Sequence, residues 1–329
     1  MTRTFRSIRR LAIWLGAALG ALSLVLLALV MIAPGDPPPP PASNLAHFQS
    51  IDFSDLPNLS TLTARDGQAL AYRFYPSQAG KVVLLLHGSA GSSASVHALA
   101  TGLARHGAAA VYALDVRGHG ASGPPGDVKY IGQLDDDLAD LSAWIRARHP
   151  GRQLLLTGFS ATGGLALRIA ASPQGRLFDG YVLLAPYLGP FAPTNRPGGG
   201  GWAQVSMPRI LALTALSSLA IRKWEGLTVV RYAVNPAAPF PTTPSYSYRL
   251  ARSLQAPLGL ASAFARVSEP VAIIVGSSDE QMLPDQYTPL VQPRGNKVTV
   301  TIVPGSTHIG MITDALAVAT VIDRVQHMP

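Results

Sequence analysis

Residues 153–164 read QLLLTGFSATGG. Residues 153–157 are a short apolar run of the kind that makes a strand buried on both faces of a sheet. Residues 161–171 read as a helix, so residues 158–160 must form a sharp strand-to-helix turn. A serine at such an apex stands exposed above the sheet and at a helix N-terminus, where the peptide dipoles stabilise developing negative charge. Ser160 is therefore a candidate nucleophile. The tight turn demands small flanks. Gly158, two residues before Ser160, meets that demand, whereas Thr162, two residues after it, stands where glycine is usual. The alternative is a serine that only caps a helix in a Gly-rich turn.

On either side of this stretch, strands alternate with helices. Residues 62–65 and 68–75 read as two strands around an Asp66-Gly67 turn. Strands follow at 81–86 (KVVLLL), 108–114, 181–185, 271–275 and 298–303, and helices at 92–105, 134–148 and 312–325. Leu134, Leu138, Leu141 and Ile145 form the apolar stripe of the second helix. This alternation predicts an α/β fold, a doubly wound and mostly parallel sheet with helices on both faces, and places chemistry at the carboxyl ends of its strands. Residues 186–270 break the pattern. They carry many prolines, PGGGG at 197–201, and an apolar helix at 208–223 with Ser206 as its N-cap, and they read as an insertion over one edge of the sheet.

The other strand ends are also informative. After 81–86 comes HGSAGSS (87–93), a turn whose backbone N–H groups suit an oxyanion; neither GxGxxG nor GxxxxGK[ST] is present to make it a phosphate cradle. After 108–114 comes DVRGHGASG (115–123). Taken in order, HGSAG, DVRGHGASG, GFSATGG, EPVAIIVGSSDE and PGSTH resemble the α/β-hydrolase superfamily. The nearest branch is that of monoacylglycerol lipases, lysophospholipases and serine aminopeptidase-like hydrolases. The resemblance runs from about Leu62 to Val325, weakly over the insertion, and implies an α/β-hydrolase fold with a cap.

It also implies roles. Asp279, closing Gly276-Ser277-Ser278-Asp279, is the triad acid, with Glu280 its neighbour. His308, in PGSTH, is the base, and the N–H groups of Ser89 and Ala161 form the oxyanion hole. No metal and no cofactor is implied. Elimination independently favours His308: no other histidine lies in the loop after the last strand, downstream of both Ser160 and Asp279. His119 reads as structural, holding the loop after Asp115.

Composition narrows the class. With 48% hydrophobic residues in 329, the chain builds a sizeable core and is not disordered. It has no cysteine, which excludes disulfide scaffolds, thiolate zinc sites, iron–sulfur clusters and a thiol nucleophile. Of the net charge of +8, four positives are Arg3, Arg6, Arg9 and Arg10, and no later cluster is dense enough to track nucleic acid.

Those arginines precede an uncharged stretch, 11–33. As a helix it would be about 35 Å long, enough for a hydrocarbon core of about 30 Å. No Lys or Arg follows until Arg65, so residues 1–10 are expected in the cytoplasm and the rest on the extracytoplasmic, periplasmic side of the cell membrane. A cleaved signal peptide is the alternative, and it exports the rest equally. PGDPPPPPA at 34–42 predicts an extended spacer, within a linker spanning 34–50, that holds the domain off the bilayer. The hydrolase domain is expected over 51–329.

The sequence thus points to a membrane-anchored serine hydrolase of carboxylic esters, lipid-like or amphiphilic. The apolar helix of the insertion, through Leu216 and Leu219, is expected to line the substrate path. An aminopeptidase-like peptidase or amidase and an acyltransferase remain open. So does a non-catalytic binding protein on a hydrolase scaffold, the one reading that Thr162 favours.

Overall fold

The computed structural model describes residues 2–40, 42–197, 201–291 and 297–329. Two helices, α1 (Thr2–Met31) and α2 (Ala42–Gln49), precede the strands β1 (Leu59–Thr63), β2 (Ala69–Tyr75), β3 (Lys81–Leu86), β4 (Ala110–Leu114), β5 (Gln153–Phe159), β6 (Gly180–Leu184), β7 (Ala203–Val205), β8 (Thr228–Tyr232), β9 (Ser245–Ser247), β10 (Val271–Gly276) and β11 (Val298–Val303). Among the described residues the central sheet has eight strands in the order β1-β2-β4-β3-β5-β6-β10-β11, and β7-β8-β9 make a separate three-stranded sheet. Only the β1–β2 and β2–β4 pairings of the central sheet are antiparallel. Its inner strands are the continuous apolar runs, and β4, β6 and β10 are buried along their whole length, as covering both faces requires.

The helices after the first strands are α3 (His97–Arg105), α4 (Gln133–Arg148), α5 (Ala161–Ala170), α6 (Met207–Ser218), α7 (Tyr248–Leu254), α8 (Leu260–Arg266), α9 (Tyr287–Val291), α10 (Gly310–Thr313) and α11 (Ala315–His327). Helix α3 packs with α10 and α11, whereas α4, α5, α7, α8 and α9 pack among themselves on the opposite face. Leu134, Leu138, Leu141 and Ile145 of α4 are buried against the core, as their spacing requires.

Three expectations change. The closing helix breaks at Asp314, whose extended backbone (φ −73°, ψ 136°) separates α10 from α11; aspartate favours helix caps over interiors. The stretch 186–270 divides in two. β7, α6, β8 and β9 form a cap, whereas α7 and α8 return to pack on α5. At seven residues each, these two helices are too short to show a period. Ser206 does cap α6, accepting the Arg209 N–H, but α6 ends at Ser218 rather than 223, with Ala220 at φ +61°. Part of PGGGG, residues 198–200, lies outside the described residues.

The third change concerns the linker. Residues 32–40 are without regular structure, but 42–49 are helical and lie against the domain rather than extended away from it. The prolines stop at Pro41, and Phe48 then finds an aromatic partner in Phe240 of the cap, ring centroids 4.8 Å apart. Helix α1 is different: almost none of its apolar stretch Arg10–Met31 is covered, and only its last turns reach α6.

Candidate active site

The turn at 158–160 is as tight as its sequence requires. Ser160 has φ 55° and ψ −115°, a conformation that side chains with a Cβ rarely adopt. Surrounding bonds hold it there: its N–H donates to Leu184 O (2.8 Å), and its carbonyl accepts from Gly163 (3.0 Å) and Tyr187 (2.9 Å). A Cβ on Gly158 would lie 2.3 Å from the Thr162 carbonyl oxygen, so only glycine fits. Thr162 departs from the usual glycine without opening the turn. Its buried hydroxyl accepts the Phe159 N–H (3.0 Å) and donates toward the carbonyls of His87 (2.9 Å) and Leu86 (3.2 Å) at the end of β3.

The loops after β5, β10 and β11 meet above the sheet. His308 Nε2 lies 3.0 Å from Ser160 Oγ, and Nδ1 lies 2.8 Å from Asp279 Oδ2. All three side chains are buried. Burial alone would raise the Asp279 carboxyl. The hydrogen bond from His308 and the N–H groups of Gln281 and Met282, both 2.8 Å from Oδ1, instead hold it below the usual carboxylate value. Glu280 points elsewhere, its Oε2 accepting the backbone N–H of His308 at 2.9 Å. The two neighbouring acids are thus separated by what they touch: one the imidazole, the other the main chain that carries it.

The His-Gly turn after β3 is braced on both sides. His87 Nδ1 donates to Gly88 O (2.8 Å) while its Nε2 accepts the Val116 N–H (3.2 Å). The Ala90 N–H donates to the Tyr246 hydroxyl (2.7 Å), which donates in turn to His119 Nε2 (2.6 Å). His119 therefore holds the loop after Asp115, as its position implies, and links it to the cap strand β9. Among the described residues no protein acceptor engages the N–H of Ser89 or of Ala161, which leaves both available to a ligand oxygen.

Beside Gly88, Ser89 and Phe159 lies a cavity of about 110 Å³. The cap contributes Trp202, Val234 and Phe240 to it, and the segment after His308 contributes Ile309 and, from α10, Ile312. No charged side chain lines it among the described residues. Leu216 and Leu219, expected on the substrate path, are not there. Leu216 is buried within the cap, and Leu219 is exposed to solvent. The side chains that brace the site from a distance in sequence, Tyr246 and the linker's Pro40 and Phe48, have no local signature; only Thr162 carried one, as a departure from glycine.

Comparison with known proteins agrees with this architecture. The family model for serine aminopeptidase, S33, matches residues 77–312, more than two thirds of the chain. A soluble variant of the monoglyceride lipase of Saccharomyces cerevisiae, solved with a substrate analogue, superposes with a TM-score of 0.63 at 18% identity, covering 84% of this chain and 96% of that one. The monoacylglycerol lipase of Paleococcus ferrophilus gives 0.59 at 19% identity, covering 79% and 99%. An esterase of Pyrococcus furiosus gives 0.54 at 16% identity, covering 89% and 100%. At these identities the structural likeness is one of fold. No curated protein sequence matches. The chain has an α/β-hydrolase fold and belongs to the serine aminopeptidase S33 family.

Proposed function

We propose that this protein is a membrane-anchored serine hydrolase that cleaves carboxylic esters of lipid-like or amphiphilic character. The observation that carries the reading is His308 spanning Ser160 Oγ and Asp279 Oδ2 at 3.0 and 2.8 Å. In that geometry Ser160 Oγ attacks the ester carbonyl carbon as its proton passes to His308 Nε2. Asp279 holds the Nδ1–H tautomer and stabilises the imidazolium. The carbonyl oxygen, now an oxyanion, is received by the Ser89 and Ala161 N–H groups, which bind it more strongly than the ground-state carbonyl. His308 returns the proton to the leaving alcohol, and water, activated by the same base, releases the acid from the acyl-enzyme.

Two features favour an apolar ester over an aminopeptidase substrate. The cavity beside Ser89 is lined by apolar and aromatic side chains, and among the described residues it holds no carboxylate to receive a free α-ammonium group. The exposed apolar length of α1, with Trp14 and Leu24 among its uncovered residues, supports insertion into a bilayer, because such a surface is costly in water. The four preceding arginines support a cytoplasmic N-terminus with the hydrolase domain outside.

The test is a panel of p-nitrophenyl esters of graded chain length beside aminoacyl naphthylamides. Ester turnover that requires Ser160 is expected, with kcat/KM rising from acetyl to octanoyl. Naphthylamide cleavage without ester cleavage would replace the reading by a peptidase.

A further inference from the structure

The segment between α1 and the sheet is Pro-rich and reads as a spacer, yet it is held against the hydrolase domain at several points along its length. Asp36 pairs with Arg231 of β8 at 2.5 Å. Pro40 and Phe48 line the cavity itself, together with Ser89 and the cap's Trp202. The half-buried Phe48 ring meets Phe240 of the cap edge-on. One residue earlier, His47 Nε2 accepts from the Thr307 hydroxyl at 3.0 Å, and Thr307 is the neighbour of His308. Beyond α2, Phe53 stacks on the ring of His97 (5.6 Å), whose Nε2 contacts the Asp52 carbonyl and the Asp55 carboxylate. One run of about twenty residues therefore touches the cap, the oxyanion side and the histidine loop.

We propose that residues 36–40 and 42–55 belong to a strap that, through Pro40 and Phe48, forms the acyl-chain wall of the cavity, with Phe48 setting the length of chain accepted. The proposal rests on the ester-hydrolase reading for its substrate, but its geometry does not. Phe48 is the bulkiest side chain the strap gives to the cavity, which Gly88, Ser89 and Phe159 of the two turns also line, and its ring meets Phe240 of the cap. In an apolar pocket the fit of a single methylene changes a rate constant by about tenfold or more, so altering this ring alone is sufficient to change selectivity.

The experiment uses the full-length protein in bilayer nanodiscs and p-nitrophenyl alkylphosphonates with methyl or octyl chains. Ser160 Oγ bonds to phosphorus, its proton goes to His308, and p-nitrophenolate leaves and is counted. The readout is the octyl-to-methyl ratio of second-order rate constants, the methyl reaction reporting that the site is assembled. Phe48→Trp is expected to lower the ratio about tenfold. Phe48→Leu, which keeps an apolar side chain of smaller volume, is expected to raise it. A ratio unchanged in both variants overturns the strap. A ratio that moves as expected in an enzyme cleaving no carboxylic ester would leave the strap standing and overturn the ester reading instead.

Discussion

The Thr162 hydroxyl lies 2.9 Å from the carbonyl oxygen of His87, so a side chain of the nucleophile turn is bonded to the turn that presents the Ser89 N–H. Thr162 Oγ1 also accepts the Phe159 N–H. Thr162→Val keeps the shape but removes both bonds, leaving buried polar groups unpaired at a cost of about 1–3 kcal/mol. A displaced Ser89 N–H weakens transition-state binding and hardly touches the substrate ground state. Expected are a fall in kcat of about tenfold or more at nearly constant KM, and a lower Tm. Thr162→Ser should recover most of both. A KM effect with unchanged kcat would show that Thr162 only shapes the pocket.

The assignment of acid and base makes a ranking. Ser160→Ala should remove phosphonate labelling and reduce turnover by about 10⁴–10⁶. Asp279→Asn should cost up to about 10⁴, because the amide no longer secures the Nδ1–H tautomer. Glu280→Gln should cost far less, since a neutral amide oxygen still accepts the His308 main-chain N–H. The reverse order in kcat would transfer the acid role to Glu280.

What the sequence reveals and conceals follows from the range of the interactions. β3 is visible in KVVLLL because burial on both faces leaves a continuous apolar run, and the edge strand β11 in VTVTIV because β-branched residues fit a strand, and both strands have the bounds the sequence implies. Ser160 is legible because its turn needs a glycine two residues before it in the chain, Gly158. Helices α7 and α8 are not legible as part of the sheet's cover, since their apolar faces are each seven residues long. Tyr246 lies 156 residues from the Ala90 N–H that it accepts, and His47 lies 260 from Thr307. Such contacts leave no spacing to read. The linker misleads for a further reason: its prolines speak for residues 37–41 only, and the helix that follows is stabilised by Phe240, far away in the chain.

Two buried histidines make stability depend on pH. Burial, and then the proximity of His87, push His119 down to about 3 from its ordinary 6.5, and burial lowers His87 as well. Between pH 6.5 and about 3 the unfolded chain protonates His119 and the folded protein does not, so the unfolded state binds more protons there. Stability from this residue is complete above pH 6.5 and is lost as pH falls through that window. His119→Gln should flatten the decline by up to about 1.4 kcal/mol per pH unit. Denaturant unfolding followed by tryptophan fluorescence at pH 4.5, 5.5, 6.5 and 7.5 measures it. An unchanged slope would mean that His119 is charged in the folded protein.

The end of α1 is bonded to the cap, and this bears on whether the apolar segment is kept. Arg209 of α6, almost wholly buried, donates through Nε to Val30 O (2.6 Å) and through Nη2 to Met31 O (3.2 Å), while Ser206 Oγ donates to Ile32 O (2.6 Å). Carbonyls in the last turn of a helix have no intrahelical donor, and here the cap supplies one. Arg209 also donates to Thr228 O (2.7 Å) in β8, so one guanidinium joins the end of α1 to the cap sheet. A signal peptidase cutting after Ala33 would remove every α1 carbonyl in this set and leave a buried guanidinium short of acceptors. The full-length protein is therefore expected to stay with the membrane after alkaline carbonate washing. Removing residues 1–33 should lower the Tm of the hydrolase domain. Arg209→Met should destabilise the full-length protein more than the shortened one, with a coupling of about 1–3 kcal/mol between the two changes. Strict additivity, or recovery of a shortened mature chain from cells, would show that the segment is dispensable and that the contact does not hold the anchor.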